Sequence, residues 1–89
     1  MEDNTNLNKS IQNRLRRIEG QVKGIERMLD NEVCCKDILV QVAAVRAAVN
    51  KVGTLILQNY AENCLLSDVK EERGEEVEQL VNTITMFLK

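Results

Sequence analysis

Three cysteines are the residues of this 89-residue sequence that are best suited to chemistry: Cys34, Cys35 and Cys64. The first two are adjacent in the stretch "NEVCCKD", and the third follows in "NYAENC". The chain has no histidine and no CxxC pair. Without a sign of secretion, such thiols are expected to stay reduced and to serve as nucleophiles or metal ligands rather than as disulfides. The alternative is that they are small buried hydrophobic side chains.

The spacing of Cys35 and Cys64 decides whether the two thiols can meet. They are 29 residues apart, which corresponds to about 43 Å along a continuous helix, whereas a shared bond needs the two Cα atoms within about 7 Å. Twenty-nine steps of about 100° return to nearly the same helix face. An antiparallel second copy, with its twofold axis near Val49 and Asn50, would bring Cys35 level with Cys64 of the partner subunit. The two thiols are therefore predicted to meet only between chains.

The elements that hold the cysteines are predicted from apolar periodicity, since apolar residues recur every three or four positions. The first stripe is Leu7, Ile11, Leu15, Ile18, Val22, Ile25 and Leu29; the second is Ile38, Val42, Val45, Val49, Val52, Ile56, Tyr60 and Cys64; the third is Val77, Leu80, Val81, Ile84 and Leu88. Asp30 and Asn31 are predicted to form a turn. The prediction is an all-α domain, residues 1–89, with helices over about 6–31, 34–66 and 74–88.

The lengths of these helices predict an oligomer. A second helix of about 50 Å is longer than a compact chain of this size, whose radius of gyration would be about 12 Å. The core must be aliphatic, because Tyr60 and Phe87 are the only aromatic residues and proline is absent. Two chains side by side would form an antiparallel four-helix bundle. The polar first residues and the lack of an unbroken apolar run of about 20 residues predict a cytoplasmic protein.

Charge is distributed unevenly along the chain. The net charge is −2 and the pI is about 5.1, which argues against a uniformly basic nucleic-acid binder. Between Lys9 and Arg27, however, six basic and two acidic residues give +4, whereas Asp68 to Lys89 gives −3. Such asymmetry suggests a local basic surface. The alternative is an ordinary solvated helix face.

Three runs carry a resemblance to a known family: "RLRRIEGQVKGIERML", "CKDILVQVAAVRAAVNKV" and "YAENC". Together, from about Ile11 to Met86, they resemble the copper-sensitive operon repressor family (the CsoR/RcnR/FrmR group). The resemblance implies a three-helix chain, a homodimer built as an antiparallel four-helix bundle, and a dimer of dimers. It also implies a repressor that binds operator DNA and releases it when the cysteine site is occupied, and no enzyme activity.

The resemblance also implies which residues sense the signal. Copper-sensing members have cysteines at positions like Cys35 and Cys64, and a histidine where Tyr60 stands. Their outer tyrosine and glutamate correspond to Cys34 and Gln79. These departures favour the branch called CsoR-like sulfurtransferase repressors (CstR), which senses persulfides and polysulfides through two cysteines and needs no metal or other cofactor. The alternative is Cu(I) sensing by the same two thiolates. In the persulfide-sensing interpretation, Cys34 would be a further acceptor of sulfur or a decoy.

Nickel-sensing and cobalt-sensing members need several histidines, and the absence of histidine excludes that branch here. Formaldehyde-sensing members typically rely on an N-terminal amine next to a proline, and this chain has no proline. The resemblance implies DNA contact by Arg14 and Lys51. The other candidate DNA-binding residues are Arg16, Arg17, Lys23 and Arg46. A rival from another class is a helical adaptor or a carrier of sulfur or metal that does not bind DNA.

Overall fold

Three α-helices make up the part of the chain that the structure, a computed structural model, describes. Its backbone covers residues 2–65 and 73–89, and its side chains cover residues 6–63 and 74–89. The helices are α1 (Glu2–Asp30), α2 (Cys35–Leu65) and α3 (Arg73–Leu88). Neither backbone range contains a strand. The predicted all-α class and the predicted number of helices are confirmed.

The helix ends differ from the predicted ones by a few residues. α1 begins at Glu2 rather than near residue 6, because its first residues are polar and give no apolar period to read. α2 begins at Cys35, and its predicted end at residue 66 lies outside the described residues. α3 begins at Arg73, so Gly74 lies in its first turn instead of marking the boundary.

A turn of four residues joins α1 to α2. The N–H of Val33 donates to the carbonyl of Met28 at 3.0 Å, and the N–H of Glu32 donates to the carbonyl of Leu29 at 3.2 Å. These two bonds form a Schellman motif, which satisfies the last carbonyls of α1. Glu32 has a φ of 56°, in the left-handed region where glycine is the usual residue. The motif stops α1 and turns the chain toward Cys35.

Replacing Glu32 by glycine should therefore stabilise the protein. Glycine avoids the steric penalty of about 1–2 kcal/mol that a side chain meets in the left-handed region, and the flexibility that it adds to the unfolded chain offsets part of this gain. We expect a net increase of about 0.5–1 kcal/mol in the free energy of unfolding, measured by urea denaturation at one fixed protein concentration. Glu32→Ala keeps the penalty and is the matched control. An equal gain in both variants would contradict this explanation.

The described contacts divide the chain into two compact units, residues 1–52 and 53–89. In the first unit the buried apolar side chains are Ile11 and Ile18 of α1 and Val52 of α2; in the second, Leu80 of α3 is buried. All four belong to the apolar stripes predicted from the sequence. The stripes therefore identify the residues that face the interior of each unit.

Most of the remaining stripe residues are exposed in the single chain. Leu29 keeps 61% of its accessible surface and Leu88 keeps 73%. The other exposed stripe residues are Leu15, Val22, Val42, Val49, Ile56, Val77 and Val81, and three large apolar residues outside the stripes are exposed as well: Leu39, Val40 and Met86. Leaving so much apolar surface in water is unfavourable, by about 25 cal/mol per Å².

The hydropathy of α2 is higher than the search for an unbroken apolar run indicated. Within Cys35–Asn63, an 18-residue window has a mean hydropathy of 1.3 and at most two charged residues, so the helix is long and apolar enough to cross a membrane. The sequence has no unbroken apolar run there because Arg46 and Lys51 interrupt it, but the alanines and valines between them raise the average. This finding rests on length and composition alone, and the core helix of a helical bundle also meets both criteria.

Candidate thiol switch and nucleic-acid interface

Cys34 and Cys35 lie where α2 begins. The carbonyl of Cys34 accepts the first helical hydrogen bond, from the N–H of Ile38 at 3.1 Å, so Cys34 is the N-cap residue and Cys35 is the first residue of the helix. Both side chains are exposed and both thiols are free. The first N–H groups of a helix have no acceptor within it, and they stabilise negative charge nearby. Both side chains are exposed in the single chain, so neither cysteine belongs to the core of its own subunit.

Cys64 lies at the other end of the same helix, one residue before the last residue of α2. Its backbone is helical, and its side chain lies outside the described residues. Because α2 is unbroken over its 31 residues, the 29-residue separation from Cys35 corresponds to an axial rise of about 43 Å. This is far beyond the roughly 7 Å that a disulfide allows between Cα atoms. A direct link between the two thiols within one chain is therefore excluded.

Tyr60, where the copper-sensing pattern has a histidine, lies one turn before Cys64. Its half-buried side chain lines an apolar cavity of about 230 Å³. The cavity is bounded by α2 and α3 residues Gly53, Ile56, Leu57, Thr83, Met86 and Phe87. None of the described residues that line this cavity is charged. They surround Tyr60 as neighbours surround a packing residue, and none of them supplies a nitrogen ligand for a metal.

Gly53 and Phe87 hold α3 against the second half of α2. A Cβ atom placed on Gly53 would collide with the far edge of the Phe87 ring. The ring therefore occupies space that only glycine leaves open. This contact is next to the cavity that Tyr60 lines, so it helps to position α3 beside the last turns of α2.

A double-mutant cycle should show that the effect of Gly53→Ala on the free energy of unfolding changes sign when the Phe87 ring is removed. Gly53→Ala should lower the free energy of unfolding by about 1–3 kcal/mol, the usual cost of overpacking. In a Phe87→Ala background the collision is absent, and the same substitution should raise it by about 1 kcal/mol through helix propensity. Urea denaturation of the four proteins at one concentration measures both values. A stabilising Gly53→Ala in the presence of Phe87 would show that the ring moves aside at no cost.

The candidate metal ligands of one chain do not form a complete metal site within the described residues. No group of three or more histidine, cysteine, aspartate or glutamate side chains is close enough there to hold an ion. Gln79, at the position of the copper pattern's glutamate, is exposed on α3.

The candidate nucleic-acid interface is a cationic groove along α1. Its volume is about 400 Å³, and its lining residues, which we call the α1 groove, are Asn6, Lys9, Ser10, Asn13, Arg14 and Arg17. Three of them are cations, three are neutral polar residues, and none is a carboxylate. The Nε atom of Arg14 is buried and has no hydrogen-bond partner among the described residues. A groove with these donors is suited to the phosphate oxygens of a nucleic acid.

The structure places the six candidate DNA-binding residues in three different surroundings. Arg14 and Arg17 share the α1 groove. Lys23 lines a different cavity, of about 430 Å³, in which Glu19 and Glu26 are its neighbours. The remaining three candidates, which line neither cavity, are exposed on α1 or α2: Arg16, Arg46 and Lys51. The carboxylates beside Lys23 make it a weaker candidate for phosphate contact than the two groove arginines.

Four residues of the α1 groove are not among the candidates that the sequence provides. Lys9 belongs to the basic segment without being a candidate, and Asn6, Ser10 and Asn13 carry no charge. A signal is nevertheless present, because positions 6, 10, 13 and 17 follow each other at helical spacing. Polar periodicity on α1 would therefore have found the groove as directly as apolar periodicity found the core.

Comparison with known proteins identifies the family. Residues 7–86, nearly the whole chain, match the sequence pattern of the family described as "Metal-sensitive transcriptional repressor". The chain belongs to the metal-sensitive transcriptional repressor family. The resemblance found in the sequence is thus confirmed for the family, whereas its persulfide-sensing branch is not. Proteins of this family are repressors of transcription, and no enzyme is among the relatives described below.

The relatives are named for different signals. The copper-sensing transcriptional repressor CsoR of Bacillus subtilis (strain 168) is 42% identical over 80 residues, which cover 89% of this chain and 79% of the relative. The solved copper-sensing repressor CsoR with Cu(I) from Geobacillus thermodenitrificans NG80-2 is 39% identical, with a TM-score of 0.80 over 91% of this chain and 85% of that one. A variant of the formaldehyde-responsive regulator FrmR from Salmonella enterica serovar Typhimurium is 30% identical, with a TM-score of 0.79 over 92% and 94%. One fold thus serves both a metal and an organic signal.

Proposed function

We propose that this family member binds operator DNA while its thiols are reduced and releases the DNA when Cys35 becomes linked to Cys64 of the partner subunit. The observation that carries the proposal is the unbroken α2, with one thiol in its first turn and the other in its last. Because the helix keeps the two thiols apart within a chain, a link between them must join two chains. Such a link would convert a chemical change at the cysteines into a change in the arrangement of the two subunits.

The assembly that fits this proposal is an antiparallel homodimer, with two dimers forming a tetramer. The exposed apolar side chains of α1 and α2, such as Leu29 and Leu39, supply the surface that a second chain would cover. Burial in a bundle of subunits also accounts for the hydropathy of α2. The whole chain then acts as one sensor and DNA-binding domain in the cytoplasm, where transcriptional repressors meet their operators.

The DNA contact proposed here is made by the α1 groove. Arg14, Arg17 and Lys9 bring three positive charges to one groove, and an oligomer repeats this groove in each subunit. This repetition is how a protein with a net charge of −2 can bind a polyanion. Lys51, Arg46 and Arg16 extend the contact as exposed cations, and Lys23 contributes less because of its acidic neighbours.

Reactive sulfur is the inducer that we propose. The Cys35 thiolate attacks a sulfane sulfur of a polysulfide, which forms a persulfide on Cys35 and releases a polysulfide shorter by the transferred atom. The thiolate of Cys64 of the partner subunit then attacks the Sγ atom of Cys35 in the protonated persulfide, an S–S bond forms between the two cysteines, and the outer sulfur leaves as hydrosulfide. Longer chains transferred in the first step leave extra sulfur atoms in the link. This chemistry requires two thiols and no imidazole, which suits a chain without histidine.

Cu(I) is the second candidate inducer, and the relatives favour it. The Bacillus subtilis and Geobacillus proteins are both described as copper-sensing. Two thiolates, Cys35 and Cys64 of the partner subunit, suit a soft ion that accepts sulfur ligands. Against this, Tyr60 lies in an apolar cavity and offers no third ligand. The outer partners that usually raise metal affinity are also replaced, by Cys34 and Gln79.

One experiment separates these inducers. The reduced protein is treated anaerobically with either Cu(I) or inorganic tetrasulfide, and operator affinity, intact mass and non-reducing gel mobility are recorded for each sample. Reactive-sulfur sensing predicts a covalent dimer and loss of DNA affinity with tetrasulfide alone. Copper sensing predicts stoichiometric release by Cu(I), reversed by a Cu(I) chelator, and no response to tetrasulfide. A protein that does not bind its own promoter region at moderate salt in any state would be an adaptor or carrier, and the proposal would be wrong.

A further inference from the structure

The proposed switch uses Cys35 and leaves its neighbour Cys34 without a role. Both thiols are exposed, both are free, and they are consecutive residues at the start of α2. Cys34 is the N-cap residue, so its backbone is fixed by the hydrogen bond that its carbonyl accepts from Ile38. The two thiols form a pair of nucleophiles within one chain, held on a defined piece of backbone.

The spacing of this pair restricts what can link the two sulfurs. Consecutive Cα atoms are about 3.8 Å apart across a trans peptide, whereas unstrained disulfides join Cα atoms about 4.4–6.8 Å apart. A direct disulfide between Cys34 and Cys35 would therefore be strained. The strain arises because the ring closed by a direct disulfide is small and contains the planar trans peptide. One additional atom between the sulfurs enlarges this ring, so it can close with less strain. The pair suits a ligand that inserts a single atom between two thiols.

We propose that Cys34 and Cys35 form an intrachain dithiol site for trivalent arsenic, in the form of a compound with one organic substituent. Such a compound, R–As(OH)₂, exchanges its two oxygen ligands for the two thiols: two As–S bonds form, two As–O bonds break, and the thiol protons leave in two molecules of water. Arsenic remains trivalent, so no oxidant or reductant is needed. The bent S–As–S unit brings two sulfurs close together, as adjacent residues do.

This site is independent of the proposed function, because both of its thiols lie in one chain and neither DNA nor a second subunit takes part. Occupation would nevertheless block Cys35. An arsenical and the proposed inducer would then compete for the same thiol.

The test uses phenylarsine oxide and the reduced, full-length protein. With one equivalent per chain, we expect one phenylarsenic group per chain in the intact mass and the loss of two titratable thiols. Cys64→Ser should bind like the wild type. Cys34→Ser and Cys35→Ser should each bind at least about 100-fold more weakly, because the second As–S bond gains its strength from the high effective concentration of the neighbouring thiol. Circular dichroism checks that the helices persist in each variant.

Peptide mapping of the wild type gives a readout that does not depend on the variants. Trypsin cuts after Arg27 and Lys36, so the peptide 28–36 contains both Cys34 and Cys35 and excludes Cys64. The arsenic should remain on this peptide alone and should be removed by 1,2-ethanedithiol. Arsenic that joins this peptide to the one containing Cys64, loss of binding in Cys64→Ser, or full binding in Cys34→Ser would each overturn the proposal.

Discussion

Cys35→Ser should bind operator DNA as the wild type does and should no longer release it when treated with tetrasulfide. The substitution removes the nucleophile at the start of α2 but keeps the helix, because serine is also accepted in the first turn. It lies outside the α1 groove, so the proposed phosphate contacts should remain. Fluorescence anisotropy with labelled operator DNA measures both affinities. We expect the change caused by tetrasulfide to fall from about 100-fold or more in the wild type, the upper part of the usual range for coupling between sites, to about onefold.

The matched variants are Cys64→Ser and Cys34→Ser. Cys64→Ser should lose the response as completely as Cys35→Ser, because each thiol is one half of the link between chains. Mixing the two single variants tests the geometry further. A mixed dimer retains one site with both thiols and one with neither, so it should form half of the covalent links. A full response in Cys64→Ser would show that the link uses other thiols and would contradict the proposed switch.

Cys34→Ser distinguishes the two roles of the adjacent thiols. Release by tetrasulfide should persist in this variant, since the proposed link does not use Cys34. If the response is lost instead, the sulfur first enters at Cys34, and the exposed pair acts together in sensing. Binding of phenylarsine oxide is measured separately, so failure of the switch and failure of the dithiol site remain distinguishable.

Periodicity predicted much of the fold, because helices that bury one face repeat their apolar residues every three or four positions. The same regularity placed Cys35 and Cys64 at opposite ends of one helix, and this placement is confirmed. The start of α1 was harder to predict, because its first turn is polar and carries no apolar period. Its end was predicted to within one residue, because the apolar stripe stops after Leu29. The residue that closes the turn was not predicted, since Glu32 adopts a conformation for which the usual signal is a glycine.

Contacts between distant residues were beyond prediction from one sequence. Gly53 and Phe87 are far apart in the chain, and only the packing of α3 on α2 shows that one makes room for the other. The basic segment was predicted as a charge total, but the total did not show that Lys23 lies between two carboxylates while Arg14 and Arg17 share a groove without any. Charge counts along a chain do not resolve the faces of a helix. The structure resolves these faces, and it ranks Arg14 and Arg17 above Lys23 as candidates for phosphate contact.

Arg14→Ala should weaken operator binding more than any other single substitution of a candidate cation. Its side chain is half-buried in the α1 groove, where Lys9 and Arg17 are its cationic neighbours and no lining residue is a carboxylate, so its guanidinium group is suited to a phosphate oxygen. In the proposed oligomer every subunit repeats the groove, so one substitution would act at several places on the DNA at once. We expect affinity to fall about ten- to a hundredfold at moderate salt, and the slope of log K against log salt to become less negative by about one for each phosphate that is no longer bound.

Lys23→Ala is the matched control for Arg14→Ala, because it removes one positive charge from the same helix. Its neighbours Glu19 and Glu26 already offset that charge, so removing it should change the affinity and the salt slope much less. Comparing the two slopes separates direct phosphate contact from a general effect of net charge, which would move both variants equally. Equal reductions in affinity would show that the whole basic segment acts through its field, and the α1 groove would then have no special part in binding DNA.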